Sequence, residues 1–215
     1  SAAVRALAIY KHNQLISASD DKTIKVWNMK IGGCKQTLYG HSYPVTSLVI
    51  NKENQLISGS LNSIKIWYIN TGECLRTLEG GSSPIVQFYM NNYNQLISNS
   101  FDNQIKIWNT QTGECLKILP KFKKVIKLFV SNENNQLICG SRGGTIFLWD
   151  IEAGKCLRKF AENNSSDYLS LLVISKKDEI ISGLSSGNIN LCNSKTGELL
   201  KTFETKQNGL LSLVY

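Results

Sequence analysis

The sequence predicts an all-β fold assembled from repeated units of four strands. Short segments rich in β-branched and aromatic residues alternate with turn-forming residues, and no segment has the periodicity of an amphipathic helix. Similar segments return about every 41 residues. Hydrophobic residues make up 42% of the 215 residues and charged residues 19%, so the chain can bury a core and is not a disordered polyelectrolyte.

Three blocks of sequence recur in the same order and establish the repeat. The first block is Gln-Leu-Ile-Ser or a close variant, and it starts at Gln14, Gln55, Gln95, Gln136 and Glu179. The second is a strand that ends in tryptophan, at Trp27, Trp67, Trp108 and Trp149, with Cys192 at the fifth place. The third is a Gly-Glu-Cys-Leu turn, seen in 72–75 and 113–116. Copies in phase indicate a repeat protein, and four strands per copy form one antiparallel blade.

The inner strands of the units are apolar on both faces, as in 45–50 and 125–129. A sheet with two apolar faces packs between two other sheets, which is the arrangement of a β-propeller. In the first unit we predict strands over 4–10, 14–19, 23–28 and 35–38. Five complete blades are predicted at 3–39, 44–79, 84–119, 124–160 and 168–203, and residues 209–215 align with the inner strands as one extra strand.

The repeated residues resemble the WD-repeat (WD40-type) β-propeller family over essentially the whole chain. The second unit carries the clearest match, with Gly40-His41, Ser58-Gly59-Ser60, Asn62 and Trp67 in the family order. The resemblance implies that the His, a strand Ser or Thr, the turn Asp and the Trp form a buried hydrogen-bonded set that stiffens the blade. It gives His41 this role, with Asn62 as the expected partner in place of Asp.

The other units match this set less completely. The resemblance assigns the turn positions to Asp21, Asn62, Asp102, Gly143 and Ser186, and the tryptophan positions to Trp27, Trp67, Trp108 and Trp149. Gly-His occurs once, and Trp-Asp occurs only as Trp149-Asp150. No complete set of four is therefore expected in any blade.

The resemblance also bears on the number of blades. Propellers of this family commonly have seven blades, and seven units of this period need roughly 290 residues. The favoured interpretation is that the five blades and the extra strand belong to a larger ring. The alternatives are a five-bladed ring with a spare strand and an open arc, whose exposed apolar faces would favour self-association.

Catalytic chemistry is not indicated by the sequence. The two histidines are His12, in a predicted turn, and His41, which is structural by the resemblance. No phosphate-binding loop, dinucleotide fingerprint or metal motif containing histidine is present, and the acidic pairs 20–21 and 178–179 lie in predicted turns. We expect a protein that is not an enzyme and that holds no cofactor and no metal.

The six cysteines are interpreted as reduced structural thiols. Four of them hold the same place in successive blades, Cys34, Cys74, Cys115 and Cys156. Equivalent outer positions on neighbouring blades are expected to lie beyond the Cα–Cα distance of roughly 7 Å that a disulfide allows. Cys139 replaces a strand serine and Cys192 replaces the fifth tryptophan, so both are expected in the core. Reduced thiols imply a reducing compartment, cytoplasmic or nuclear.

The resemblance places partner binding on one face of the blades. In the family, partners mostly dock on the face that carries the loops before each first strand and the turns between the second and third strands, which we term the loop face. Its candidate binding residues are Tyr43, Leu61, Phe101, Phe122, Lys123, Lys124, Arg142 and Tyr168. Two interpretations of Leu61 and Phe101 stay open: each folds back onto its own blade, or both join an aromatic rim of interface anchors around the channel mouth.

The lysines behind the net charge of +8 include two groups. Many lysines belong to the repeated Ile-Lys-Ile strands and are spread around the blades, so the charge does not indicate nucleic acid binding. Five others cluster at Lys117, Lys121, Lys123, Lys124 and Lys127. Lys127 is predicted to share a register position with Ala6 and Ser47. The cluster is either a solvated loop or a docking site for an acidic or phosphorylated peptide.

These observations predict a non-catalytic scaffold that binds a protein or peptide segment across the loop face. No apolar run is long enough to span a membrane, so no membrane partner is expected. One alternative is the substrate-recognition propeller of a ubiquitin ligase, since the Thr-Gly-Glu-Cys-Leu pattern is similar to F-box, NACHT-type and bacterial multi-repeat WD proteins. The other is a propeller that binds a small ligand or sugar, which would need polar pockets between blades where the sequence places apolar residues.

Overall fold

The architecture is all-β, as predicted. The computed structural model describes residues 2–11, 13–79, 83–120, 122, 126–132, 134–141, 144–160, 168–175, 177 and 179–205. These residues form twenty strands in five four-stranded antiparallel sheets, and in each sheet, or blade, the strands pair in the order of the chain. The predicted extra strand at 209–215 lies outside the described residues. The part of the chain that is described has no helix with the length and hydropathy of a membrane span.

The strands of the five blades have the following bounds. Blade 1 contains β1 (Val4–Tyr10), β2 (Gln14–Ser19), β3 (Ile24–Asn28) and β4 (Cys34–Leu38). Blade 2 contains β5 (Ser47–Ile50), β6 (Gln55–Gly59), β7 (Ser63–Tyr68) and β8 (Cys74–Glu79). Blade 3 contains β9 (Ile85–Met90), β10 (Gln95–Ser100), β11 (Ile105–Asn109) and β12 (Cys115–Ile118). Blade 4 contains β13 (Ile126–Ser131), β14 (Gln136–Ser141), β15 (Ile146–Asp150) and β16 (Lys155–Phe160). Blade 5 contains β17 (Leu169–Ile174), β18 (Glu179–Leu184), β19 (Ile189–Asn193) and β20 (Leu199–Phe203).

The chain divides into two compact units, unit 1 (Ser1–Ile118) with blades 1 to 3 and unit 2 (Leu119–Tyr215) with blades 4 and 5. In unit 1, one apolar core joins Ile24 of blade 1 to Leu56 and Trp67 of blade 2. A second core joins Ile57 of blade 2 to Phe88 of blade 3. The consecutive residues Leu56 and Ile57 are both fully buried. Successive residues of a strand point to opposite faces of the sheet. The sheet of blade 2 is thus covered on both faces.

Unit 2 has the same kind of core between its two blades. Ile138 and Leu148 of blade 4 are buried together with Leu172 of blade 5. A Cβ placed on Gly140 would meet the side chain of Leu169, so the glycine lets the inner strand of blade 5 approach closely. The apolar inner strands seen in the sequence therefore form interfaces between blades.

A β-bulge near the start of the first strand shifts the register in blades 1, 3, 4 and 5. In blade 4, Ile126 pairs with Ser141 and Leu128 pairs with Gly140, so the residue between them is the bulged one. Arg5 is the bulged residue of blade 1. The predicted alignment of Lys127 with Ala6 and Ser47 is therefore wrong: Lys127 corresponds to Arg5, because each bulge takes up one extra residue.

The turn between the third and fourth strands brings a glycine against the preceding blade. Gly113 has a φ of +83°, which favours glycine, and a Cβ there would lie 2.9 Å from Leu78 Cδ2 of blade 2. Gly72 meets Gln36 in the same way, and Gly197 meets Phe160. Gly32 has a similar φ of +68° but no heavy atom within 4 Å of its Cβ position. The repeated glycine thus serves both the turn and the packing of one blade on the next.

Two matched variants can measure how much the contact of Gly113 with the preceding blade contributes to the free energy of unfolding. Both Gly32→Ala and Gly113→Ala force a side chain into the left-handed region, at a cost of about 1–2 kcal/mol each. Gly113→Ala also overpacks the contact with Leu78, which adds about 1–3 kcal/mol to the loss. Chemical denaturation of the two variants should therefore show the larger fall in unfolding free energy for Gly113→Ala. Equal losses would mean that this contact contributes nothing to the packing of blade 3 on blade 2.

Candidate functional site

Blade 2 contains a buried hydrogen-bonded set of His41, Ser58 and Trp67. The loop before β5 carries His41, β6 carries Ser58 and β7 carries Trp67. Trp67 Nε1 donates to Ser58 Oγ at 2.8 Å, and His41 Nε2 lies 2.7 Å from the same oxygen. The imidazole also packs on the indole, with 5.9 Å between the ring centroids. One serine hydroxyl therefore ties the loop to two strands of the blade.

The turn between β6 and β7 is one residue shorter than the equivalent turns of blades 1 and 3. Ser60 N donates to the carbonyl of Ser63, three residues on, whereas the equivalent bonds of the other two blades reach four residues on. As a result Ser63 Oγ lies 3.4 Å from His41 Nδ1, and Asn62 is exposed. Ser63 occupies the place that the sequence assigned to Asn62. The sequence signal is that the Ile-Lys-Ile block of blade 2 begins one position early relative to Gln-Leu-Ile-Ser.

Asp21 and Asp102 close the turns of blades 1 and 3. Asp21 Oδ1 accepts hydrogen bonds from Thr23 Oγ1 at 2.6 Å and from Thr23 N at 2.9 Å, and these bonds lower the pKa of Asp21. Asp102 Oδ1 accepts from Ser100 Oγ at 2.6 Å and from Gln104 N at 3.2 Å. Each carboxylate thus bonds within its own turn, as aspartate does in an Asx turn.

The bond between serine and tryptophan is also present in blades 1 and 3. Trp27 Nε1 donates to Ser17 Oγ, and Trp108 Nε1 donates to Ser98 Oγ, both at 2.8 Å. All three blades of unit 1 therefore join their second and third strands through this pair of side chains. The histidine is an addition in blade 2.

Blade 4 has an apolar version of the same set. Cys139 stands where the other blades have serine, and the buried Trp149 Nε1 has no hydrogen-bond partner within the described residues. Phe122 packs on the indole of Trp149 with 4.9 Å between ring centroids, and on Phe147 at 5.9 Å. Phe122 follows Leu119 by three positions, as His41 follows Leu38, so it takes the place of the histidine.

This arrangement corrects the prediction that Phe122 belongs to the exposed rim. The ring is 9% exposed, because it covers the indole as the imidazole does in blade 2. The spacing from the preceding buried leucine was the sequence signal. In blade 5, Cys192 is buried at the tryptophan place, and Ser186 Oγ is a buried oxygen without a hydrogen-bond partner in the described part of the chain. Gly143 lies outside the described residues.

The loops and turns of the loop face in unit 1 are joined by backbone hydrogen bonds. Val45 N donates to Ser19 O of blade 1 at 3.1 Å, and Ile85 N donates to Ser60 O of blade 2 at 3.2 Å. Within blade 2, Ser60 Oγ donates to Tyr43 O at 3.1 Å. The loops before β5 and β9 are thus each fixed to the preceding blade, and these bonds brace the loop face of unit 1 from blade to blade.

Of the candidate binding residues in unit 1, two aromatic side chains project from this surface. Phe101 is 70% exposed, although its backbone N–H is held by Pro84 O at 2.9 Å, so its ring does not fold back onto the blade. Tyr43 is exposed, and Leu61 is half-buried. In unit 2, Tyr168 is exposed at the equivalent loop. The remaining candidates, Lys123, Lys124 and Arg142, lie outside the described residues.

A polar pocket of about 620 Å³ opens on blade 2. It is lined by Gly40, Ser42, Asn62, Ser63, Lys65, Thr77 and Glu79. Lys65 Nζ donates to Thr77 Oγ1 at 2.7 Å, which holds the ammonium group in the wall of the pocket. His41 lies behind Ser63, and its pKa is lowered to about 4, mainly by burial and further by the charge of Lys65. The pocket therefore offers one cation, Lys65, one carboxylate, Glu79, and several hydroxyl groups beside a neutral histidine.

Blade 1 carries an ion pair at the position that holds Leu61 in blade 2 and Phe101 in blade 3. Arg5 donates through Nε to Asp20 Oδ1 at 2.8 Å and through Nη2 to Asp20 Oδ2 at 2.6 Å. This hydrogen bonding lowers the pKa of Asp20 and raises that of Arg5. The loop face therefore changes from a paired charge on blade 1 to apolar groups on blades 2 and 3.

Comparison with known proteins gives the family. The sequence model described as WD domain, G-beta repeat, matches residues 1–28, 32–68, 72–109 and 113–150. The chain belongs to the WD40 family. A stretch of 46 residues is 37% identical to WD repeat-containing protein pop1 of Schizosaccharomyces pombe (strain 972 / ATCC 24843), which covers 21% of this chain and 6% of the length of that protein. WD40 domains generally bind proteins or peptides and are generally not enzymes.

A pair of side chains that the sequence analysis missed recurs at the end of the WD40 blades opposite to the loop face. Asn51 Nδ2 donates to Gln55 Oε1, and Gln55 N donates to Asn51 Oδ1, both at 2.8 Å. The same side-chain pairing joins Asn91 to Gln95 and Asn132 to Gln136. An asparagine four positions before the glutamine in three units was the available signal. The pair closes the turn between the first and second strands, so it is structural.

The cysteines of these WD40 blades are all free thiols. Cys34, Cys74 and Cys156 are exposed, and Cys139 and Cys192 are buried. Burial raises the pKa of both buried thiols. The described residues hold no cluster of three or more side chains suited to a metal ion.

Restoring the serine of blade 4 should stabilise the protein. Cys139→Ser gives the orphaned Trp149 Nε1 an acceptor, which contributes about 1 kcal/mol. The melting temperature, measured by calorimetry, should rise by about 2–4 °C. The reverse change in blade 3, Ser98→Cys, is the control and should lower the melting temperature by a similar amount. A fall for Cys139→Ser would mean that the site does not reproduce the serine–tryptophan geometry of blades 1 and 3.

The depressed pKa of His41 predicts a pH dependence of stability. Below a pH of about 6.5 the unfolded chain binds a proton at His41, while the folded protein stays neutral down to about 4. Unfolding free energy should therefore fall as the pH drops through this range, by roughly 3 kcal/mol in all. Urea denaturation of the wild-type protein and of His41→Gln across this range measures the difference. The variant should lack this component, and an identical slope in both proteins would contradict the assignment.

Proposed function

We propose that this WD40 protein is a non-catalytic scaffold that binds an extended segment of a partner protein across the loop face of unit 1. The observation that carries the proposal is the exposure of Tyr43 and Phe101 on a surface that backbone hydrogen bonds brace from blade to blade. Aromatic side chains held by a rigid scaffold are typical anchors of protein interfaces. Leu61, in the turn after β6, adds apolar area to the same face.

The chemistry of the face favours a segment that is acidic or phosphorylated. The chain has a net charge of +8, and the ammonium group of Lys65 lines the pocket on blade 2, where the one carboxylate of the lining belongs to Glu79. Ser42 and Ser63 line the same pocket and supply hydroxyl donors to an anionic group. We propose that Tyr43 and Phe101 provide most of the affinity, and that Lys65 pairs with an acidic or phosphorylated group of the segment.

The compartment that we propose is reducing, cytoplasmic or nuclear. Support comes from the six free thiols, three of which are exposed. Exposed thiols on a secreted protein would be open to oxidation and pairing, so their number favours a compartment that keeps them reduced.

The proposed function is tested with peptides selected from a displayed random library on the wild-type protein. Tyr43→Ala with Phe101→Ala should weaken binding of a selected peptide at least about tenfold, since anchors of this kind contribute 1–2 kcal/mol or more each. Tyr93→Ala is the matched control, because Tyr93 is also an exposed aromatic residue and lies at the opposite end of blade 3. Its affinity should not change.

Calorimetry of each variant separates binding from folding, because all three substituted side chains are exposed and their loss should leave the melting temperature unchanged. Peptides that bind the double variant as well as the wild type, or a selection that yields no binding peptide, would contradict the proposal. Replacing acidic residues of the selected peptide with their amides tests the charge preference separately.

A further inference from the structure

A second cleft lies between blades 2 and 3, at the end of the strands opposite to the loop face. Its volume is about 290 Å³, and it is lined by Gln55, Ile66, Tyr68, Leu75, Arg76, Thr110 and Gln111. In blade 2, Gln55 pairs with Tyr68 and Ile66 pairs with Arg76 across neighbouring strands. Thr110 and Gln111 belong to the turn that follows β11 of blade 3. The sequence analysis expected only apolar contacts between blades.

The guanidinium group of Arg76 is available in this cleft. It makes no hydrogen bond or ion pair with the described part of the chain, whereas its backbone lies in the ladder of β8. The equivalent arginine of blade 4 is Arg158, and its Nη1 donates to Thr196 O of blade 5 at 2.7 Å. Arg158 thus completes a contact between blades 4 and 5. The guanidinium group of Arg76 donates to no acceptor in the described part of the chain.

The walls of the cleft complement the arginine. Ile66 is buried and Leu75 is half-buried, so they provide an apolar floor, while the ring of Tyr68 is 49% exposed at the rim. Gln55 and Gln111 add amide groups. Gln111 Nε2 donates to Glu53 at 3.3 Å, and the carboxylate of Glu53 is itself held by Asn94 Nδ2 at 2.8 Å. Glu53 is not part of the lining itself, and these amide bonds lower its pKa and hold it as an anion beside Gln111.

The combination of residues differs at the other interfaces between blades within each unit. In blade 1 the places of Tyr68 and Arg76 are taken by Asn28 and Gln36, which carry no charge. In blade 4 the place of Tyr68 is taken by Asp150, an acidic residue that would repel an anion. Among the described interfaces between blades of one unit, the cleft beside blade 2 combines an unengaged arginine, an exposed aromatic ring and apolar side chains.

We propose that this cleft binds a carboxylate that adjoins an aromatic or other apolar group. The planar guanidinium of Arg76 presents paired donors that match the two oxygens of a carboxylate, and the apolar floor covers the adjoining group. The volume suits a single amino acid side chain or a small organic acid. The site lies on the other face from the peptide surface proposed above and does not depend on it.

Ligand-observed NMR with wild-type protein tests the site. Benzoate is the probe, benzamide is its uncharged analogue, and phenyl phosphate is an anion of different shape. Benzoate should bind in the millimolar range, benzamide should not, and Arg76→Gln should weaken benzoate at least about tenfold. Arg158→Gln is the matched control, because it removes the arginine at the equivalent place of blade 4 and should leave benzoate binding unchanged.

The outcomes are distinct. Absence of benzoate binding to the wild type, equal binding of benzamide, tighter binding of phenyl phosphate, or unchanged binding by Arg76→Gln would each overturn the proposal. A blocked peptide that carries one phenylalanine next to one glutamate identifies the source of the carboxylate. Tighter binding of this peptide than of benzoate supports the site as a contact for a protein segment, and tighter binding of benzoate supports it as a site for a small acid.

Discussion

Leu56 and Ile57 are consecutive residues of one strand, and both are fully buried because one faces blade 1 and the other faces blade 3. This two-sided burial is the constraint on which the other features depend. It requires apolar residues at successive positions of the inner strands, and it brings the glycine turns against the preceding blade. Where it places Gly113 beside Leu78, the turn has no room for a side chain. The repeat in the sequence is thus the record of a repeated interface.

The hydrogen-bonded set inside each blade varies much more than this packing. Blade 2 joins His41, Ser58 and Trp67, whereas blade 4 has Phe122 and Cys139 around an indole whose N–H finds no acceptor among the described residues. Replacing the histidine and the serine together by apolar groups avoids leaving an unpaired imidazole in the core, and of this set the indole donor alone lacks a partner in the described part of the chain. The blade is retained because the apolar contacts do not depend on the polar set. In blade 2 the set instead ties the loop that carries His41 to β6 and β7.

Much of the fold could be predicted from the sequence, and the errors at individual residues have a common cause. The strand pattern, the four-stranded blades and the serine–tryptophan positions follow from periodic residues that return in every unit. Phe122 was assigned to an exposed rim, Lys127 to the wrong register position, and Asn62 to the place of Ser63. In each case a substitution, a bulge or a shortened turn in one unit moved a side chain relative to the other units. The cleft beside Arg76 was missed because its residues come from two different blades.

By itself, the sequence determined the all-β class, the family and the apolar faces, because these depend on residue types that recur at a fixed period. Only the tertiary structure decided which side chains are exposed and which are engaged. Phe101 and Phe122 are both aromatic residues of predicted loops, yet one projects into solvent and the other covers an indole. Arg76 and Arg158 stand at the same place in their repeats, yet within the described residues Arg158 donates to an acceptor on the next blade and Arg76 does not. The physical reason is that burial and hydrogen bonding depend on the neighbouring blade, whose contribution to each contact is set by residues distant in the chain.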